Sequence, residues 1–214
     1  MLASVDGPVL NFHPSLLPRH RGHAPIIWAI ADGDSVTGLS VHFIDEGIDT
    51  GPLVYQRSLP IHPFDTGFDV HSKMVHLVRS TAADLLRRWL ADETLPQAIG
   101  QSGEPTTHSR RDSRLNHIDW NDDRERIRNV VRALAPPLPG AFVRHAGDEL
   151  VLVDVEPAHH TTERGRPLGI VELEPDGTPL VWAVDGPLKI ASVLRDGKVV
   201  DGRDLALTNG TIFQ

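Results

Sequence analysis

Residues 11–19 read NFHPSLLPR, an asparagine and a histidine on alternate positions with a proline behind them. They come after the apolar run Pro8-Val9-Leu10, and Phe12 lies between the two polar side chains. Alternate residues of an extended segment point to the same side, so Asn11 and His13 share a face. Residues 9–12 therefore read as a short buried strand that Pro14 ends. A histidine at the end of a strand is most often a surface or capping group. The residues downstream of Pro14 decide whether that plain reading holds.

Residues 24–31, APIIWAIA, read as a short helix. Its proline lies in the first turn, where a missing N–H costs nothing, and Gly33 stands just past its end. Residues 37–44 and 53–59 alternate as strands, joined by the acidic, glycine-rich loop DEGIDTGP. From Thr66 the period changes. Val70, Met74, Leu77, Val78, Leu85, Trp89 and Leu90 recur at helical spacing, which predicts a long amphipathic helix fading near Asp92-Glu93, its stripe serving as core. Thr66 and Asp69 stand in the positions of a capping box.

Residues 100–116 carry no period and much Gly, Ser, Thr and charge, a linker signature. Asp122 and Asp123 then open a second helix with the face Ile127, Val130, Val131 and Leu134, which Pro136-Pro137 stops. The remainder is short alternating runs split by HAGDE, PDGT, VDGP and RDGK, the pattern of a small β-barrel or sandwich. The expected organisation is an α/β unit over residues 1–100, a linker over 101–116, and a β-rich unit over 117–214 led by one helix.

Composition narrows the classes. The 214 residues are 23% charged and 40% hydrophobic, those of an ordinary folded protein. A formal net charge of −8 argues against a purely electrostatic grip on nucleic acid, with Arg110, Arg111 and Arg114 the best local basic patch. No cysteine is present, so there is no disulfide framework, thiolate metal site or cysteine nucleophile. No apolar stretch approaches the roughly 20 residues of a membrane span. The expectation is a soluble, cytoplasmic protein; its oligomeric state is left open.

Asp49-Thr50-Gly51 matches the tripeptide of aspartic proteases, and Asp65-Thr66-Gly67 repeats it, but a turn with an acid at its start is the plainer reading of so short a match. His13, His20, His23 and His42 form no HExxH or zinc-type spacing, so no metal is expected. His159-His160 reads as a solvated loop, and neither GxGxxG nor a Walker A sequence occurs. Asn11, His13 and Asp49 remain, each at the end of an expected strand or in the loop beyond one. In an open parallel sheet that is where active sites form. A histidine can take a proton from an attacking amine, and a carboxylate can orient it and support its charged form. An asparagine N–H beside them could donate to a developing oxyanion, a role worth about 3–4 kcal/mol. The set suits acyl transfer without a covalent intermediate.

NFHPSLLPRHRGHAPIIWAI followed by GLSVHFIDEGIDTGP resembles the 10-formyltetrahydrofolate-dependent formyltransferases, whose members act on methionyl-tRNA, glycinamide ribonucleotide or small amines such as amino sugars. The resemblance rests on N-x-H-P-S-L-L-P, on R-G-x-x-P-I and on the acidic loop ending D-x-G-x-D-T-G-P. It continues in HIDWNDDRERIRNVVRAL and PPLPGAF, which resemble the entry to the C-terminal domain of methionyl-tRNA formyltransferase and its relatives. It implies an α/β fold, the C-terminal half of a Rossmann-like formyltransferase sheet followed by a small OB-like β-barrel.

It also implies roles. His13 would be the base or proton shuttle, Asn11 would polarise the formyl group and Asp49 would support His13. Asp45, Glu46, Gly47 and Ile48 would line the folate pocket, and Ser15, Leu16, Leu17, Pro18, Arg21 and Gly22 would shape the acceptor side. The co-substrate would be 10-formyltetrahydrofolate, and the acceptor a small amine such as an amino sugar, with methionyl-tRNA as the alternative. Family members carry the first half of the sheet ahead of N-x-H, where this chain has ten residues. The 214-residue polypeptide alone is therefore expected to be a poor enzyme. The rival class is a non-catalytic binding protein using the β-rich unit on oligonucleotides. That use wants exposed aromatics and lysines, and only Trp182 and Phe142 offer themselves.

Overall fold

The computed structural model describes residues 7–92, 94, 96–109, 113–158 and 166–214. Arg110, Arg111 and the pair His159-His160 lie outside the described residues, as does the side chain of Arg114. The chain forms two compact units: residues 1–29, 34–65 and 69–111, and residues 30–33, 66–68 and 112–214.

In the first unit, strand β1 (Leu10–His13) leads through a loop to the two-residue strand β2 (Arg21–Gly22) and helix α1 (Pro25–Ala31). Strands β3 (Val36–Phe43) and β4 (Leu53–Pro60) and helix α2 (Gly67–Asp92) come next. The sheet order is β1-β3-β4. Both pairings are antiparallel, with Asn11 opposite His42 and His13 opposite Ser40. This corrects the expectation of parallel strands. A period of two is the same in either orientation, so the sequence pattern could not distinguish them. On α2, Val70, Met74, Leu77 and Leu85 are buried as expected, whereas Trp89 and Leu90 are about half and two-thirds exposed (48% and 66%).

The expected linker is only partly irregular. Thr107–His108 forms β5, which adds a parallel pairing to β2, and a short 3₁₀ turn spans Ser113–Asn116. Polar, aperiodic sequence gives no signal for so short a pairing, because both partners are two residues long and some 86 positions apart.

The second unit begins with helix α3 (Arg124–Leu134), capped by Asp123, whose carboxylate accepts from the Arg126 N–H at 2.7 Å. Its face of Ile127, Val130, Val131 and Leu134 is buried. Strands β6 (Ala141–His145), β7 (Asp148–Pro157), β8 (Val171–Leu173), β9 (Pro179–Ala183), β10 (Gly186–Arg195) and β11 (Lys198–Asp201) complete it. They form an antiparallel sheet ordered β6-β7-β10-β9-β8, with β11 also on β10. The barrel expected from the turn spacing is not closed by a ladder among the described residues. Instead the C-terminal segment reaches both edges. Gln214 exchanges backbone bonds with Arg144 of β6, and Thr211 accepts from Val171 of β8.

Candidate active site

Antiparallel pairing of β1 with β3 sets Asn11 beside His42, and the loop between β3 and β4 returns Asp49 to the same place. Asp49 adopts a left-handed conformation (φ 54°), a strained state for a non-glycine residue. The turn is held from several sides. Asp49 Oδ2 accepts from the Gly22 N–H at 2.8 Å. Gln101 Nε2 donates to the carbonyls of Asp49 and Gly51 at 2.8 and 2.9 Å, and Gln101 Oε1 accepts from Arg21 at 2.6 Å. Gly51 is required here because a Cβ would sit 1.8 Å from the Phe43 carbonyl oxygen. Gly22 has φ +90°, and a Cβ on it would meet the His108 carbonyl at 2.3 Å.

Asn11 Nδ2 directs its two hydrogens at Asp49 Oδ1 and His42 Nε2, both at 3.2 Å. His42 Nδ1 donates to the Phe43 carbonyl at 2.7 Å, which leaves its Nε2 as the acceptor. His13 is 5% exposed. Its Nε2 donates to the His20 carbonyl at 2.8 Å, and its Nδ1 lies 3.5 Å from Asp49 Oδ2. A carbonyl carries no proton, so the hydrogen of neutral His13 stands on Nε2 and the lone pair on Nδ1, facing Asp49. Burial pushes the His13 pKa below its ordinary value, opposed by the His20 carbonyl and Asp49 and reinforced by His42 and His20. His13 is thus a neutral base near pH 7 with a carboxylate placed to stabilise its charged form.

The expected folate-lining residues Asp45, Glu46, Gly47 and Ile48 form the exposed part of the β3–β4 loop. Asp45 Oδ1 accepts from the Thr50 hydroxyl at 2.6 Å and the Gly47 N–H at 3.1 Å. These contacts, the Thr50 hydroxyl foremost, hold its carboxyl below the usual carboxylate range. The expected acceptor-side residues divide in two. Ser15, Leu17 and Pro18 are buried, whereas Leu16, Arg21 and Gly22 are partly exposed. Ser40 Oγ donates to the Ser15 carbonyl at 2.7 Å and accepts from the Leu17 N–H at 3.0 Å, fastening the NFHPSLLP loop to β3. Cavities of about 630 and 650 Å³ lie in the second unit, and neither is lined by Asn11, His13 or Asp49.

Three residues around the site were not singled out by sequence reasoning. His42 stood only among histidines weighed as metal ligands, although its place in an alternating strand could have paired it with Asn11. Gln101 had no signal, since it lies in aperiodic sequence 52 positions from Asp49. His20 reaches the site through its backbone, which no side-chain pattern reveals.

A formyl transferase family model matches residues 1–83, and the model of the formyl transferase C-terminal domain matches residues 112–210. The chain belongs to the formyltransferase family. It is 34% identical over 152 residues to a methionyl-tRNA formyltransferase of Caldanaerobacter subterraneus subsp. tengcongensis, a match covering 71% of this chain and 48% of that protein. The chain thus spans about half the length of that relative. The fold is similar to an N-formyltransferase from Helicobacter canadensis, solved with folinic acid and dTDP-3-aminofucose (TM-score 0.65, 22% identity, 85% of this chain and 65% of that one). It is also similar to HypX from Aquifex aeolicus in complex with tetrahydrofolic acid (TM-score 0.63, 20% identity, 92% and 34%). No helix among the described residues is long and apolar enough to cross a membrane.

Proposed function

We propose that the chain carries the proton-handling part of a formyltransferase site, moving a formyl group from 10-formyltetrahydrofolate to a primary amine. The observation that carries this reading is the bare Nδ1 of buried His13 beside Asp49. The amine nitrogen attacks the formyl carbon, a C–N bond forms and the carbonyl becomes an oxyanion. The amine proton passes to His13 Nδ1, and Asp49 stabilises the imidazolium. Collapse of the adduct breaks the bond to the folate nitrogen, which takes the proton from His13 as tetrahydrofolate leaves. One Asn11 hydrogen, turned from His42 or Asp49, is the donor for the oxyanion. Residues 45–48 face the folate, residues 1–100 serve as the catalytic part, and residues 117–214 form the second domain.

The acceptor in this reading is a small amine such as an amino sugar, consistent with the net charge of −8. Methionyl-tRNA is the second reading, favoured by the 34% identity to the Caldanaerobacter enzyme. Single-turnover incubation of the full 214-residue chain, in excess over 10-formyltetrahydrofolate, with amino sugars, amino acids and charged initiator tRNA tests both. Formylated product that vanishes in His13→Ala is expected. Absence of His13-dependent product from every acceptor overturns the proposal.

A further inference from the structure

We infer that His20, anchored by Asp34, is a positioning residue for this transfer: it fixes the peptide carbonyl that keeps the lone pair of His13 on Nδ1. The inference rests on His13 being the proton acceptor. His20 is 3% exposed and sits in the left-handed region with φ 54°. Its N–H donates to Thr106 Oγ1 at 2.8 Å. Its ring meets Asp34 Oδ2 through Nε2 at 2.7 Å and His108 Nε2 through Nδ1 at 3.0 Å. The two imidazoles are nearly coplanar, 14° apart with centroids at 5.2 Å, as that edge-to-edge contact requires, and His108 stacks on Trp28 at 4.3 Å. Asp34 is itself bonded by Arg19 at 2.7 Å. A non-glycine residue keeps such a backbone only where its surroundings over-determine it, and here both its N–H and its ring are held.

The remaining polar atom of this residue, its carbonyl oxygen, is the partner of His13 Nε2. Neutral His13 has one ring hydrogen and two acceptors competing for it, the His20 carbonyl at Nε2 and Asp49 at Nδ1. With the carbonyl in place the hydrogen stays on Nε2. If the peptide relaxes, Asp49 draws the hydrogen to Nδ1 and the lone pair moves to the opposite edge of the ring, away from the carboxylate. The imidazolium, by contrast, satisfies both acceptors, so the carbonyl also favours the charged form. The groups that face His13 are Asp49 from the β3–β4 loop, His42 from β3 and the His20 ring.

Nitrogen-15 spectra of the full chain read the tautomer directly, with the His13 signals assigned by their absence in His13→Ala. The wild-type protein is expected to show His13 protonated at Nε2. In Asp34→Ala the hydrogen moves to Nδ1 and the His13 pKa falls further. The transfer rate at saturation then drops on the order of ten- to a hundredfold, while KM for the amine stays within about twofold, because misplacing the base leaves the amine contacts intact. Asp34→Asn retains an acceptor oxygen for His20 Nε2 and is expected to restore the wild-type tautomer and most of the rate. An Nδ1-protonated His13 in the wild type overturns the inference without any variant. So does an unchanged tautomer in Asp34→Ala, or an Asp34→Asn protein that loses it as fully as Asp34→Ala. A tautomer change with no formyl transfer in any protein would instead count against the formyltransferase reading alone.

Discussion

Strands β3 and β9 are both buried over most of their length, yet their residues differ in kind. β9 reads Pro179-Leu-Val-Trp-Ala183 and buries five residues without a titratable group. β3 reads Val36-Thr-Gly-Leu-Ser-Val-His-Phe43 and buries Thr37, Ser40 and His42 among Leu39 and Val41. Apolar burial stabilises without direction, at about 25 cal/mol per Å², and fixes no particular atom. A buried polar group costs about 1–3 kcal/mol when its partner is lost, so it holds that partner in one place. Ser40 and His42 use that property. Ser40 fastens the loop after β1, and His42 takes one hydrogen of Asn11. The second unit gains stability where the first gains position.

Substitutions can break this contrast. The largest effect is expected for His13→Ala, a loss of about 10³-fold in formyl transfer, with about 1–3 kcal/mol of stability lost as the buried His20 carbonyl loses its donor. Its mirror image is Leu188→Ala on β10, a fully buried residue opposite Val181 of β9. Urea unfolding should show a loss of about 2–5 kcal/mol, while the folded fraction keeps its turnover number. Ser40→Ala should cost about 1–3 kcal/mol and also slow transfer, since Leu17 N–H and Gln56 Nε2 both lose their acceptor. A Ser40→Ala protein that lost stability but kept its rate would erase the contrast. Asp123→Ala, which removes the α3 cap and touches nothing in the site, should cost about 1 kcal/mol with transfer unaltered.

The smallest effect is one of pH. His13 has a folded pKa below its ordinary 6.5, so between the two values the unfolded chain binds more protons than the folded one. Its share of stability is complete above about pH 6.5 and is lost as the pH falls toward the lowered folded value. The acid limb of kcat/KM should likewise fall below 6.5, because the base is active only when neutral. Titration of the His13 signals together with a rate profile would check both, and a limb above 6.5 would contradict them.

Local pattern carried much of this in the sequence. The helical period of Val70, Met74, Leu77 and Leu85 marked α2, and that of Ile127, Val130, Val131 and Leu134 marked α3, because a helix buries a stripe set by residues three and four apart. Alternation placed Asn11 and His13 on one face, since side chains of a strand change sides at every step. Those rules act within a few residues. Which way β1 runs against β3, how the C-terminal segment reaches both edges of the second sheet, and which atom of His13 keeps its hydrogen lie beyond their reach. Gln101 holds the Asp49 turn from 52 positions away, and Thr106 holds His20 from 86. Such contacts form only when the folded chain brings distant backbone together, so the residue types of the site were legible in the sequence while its protonation geometry was decided by the tertiary structure.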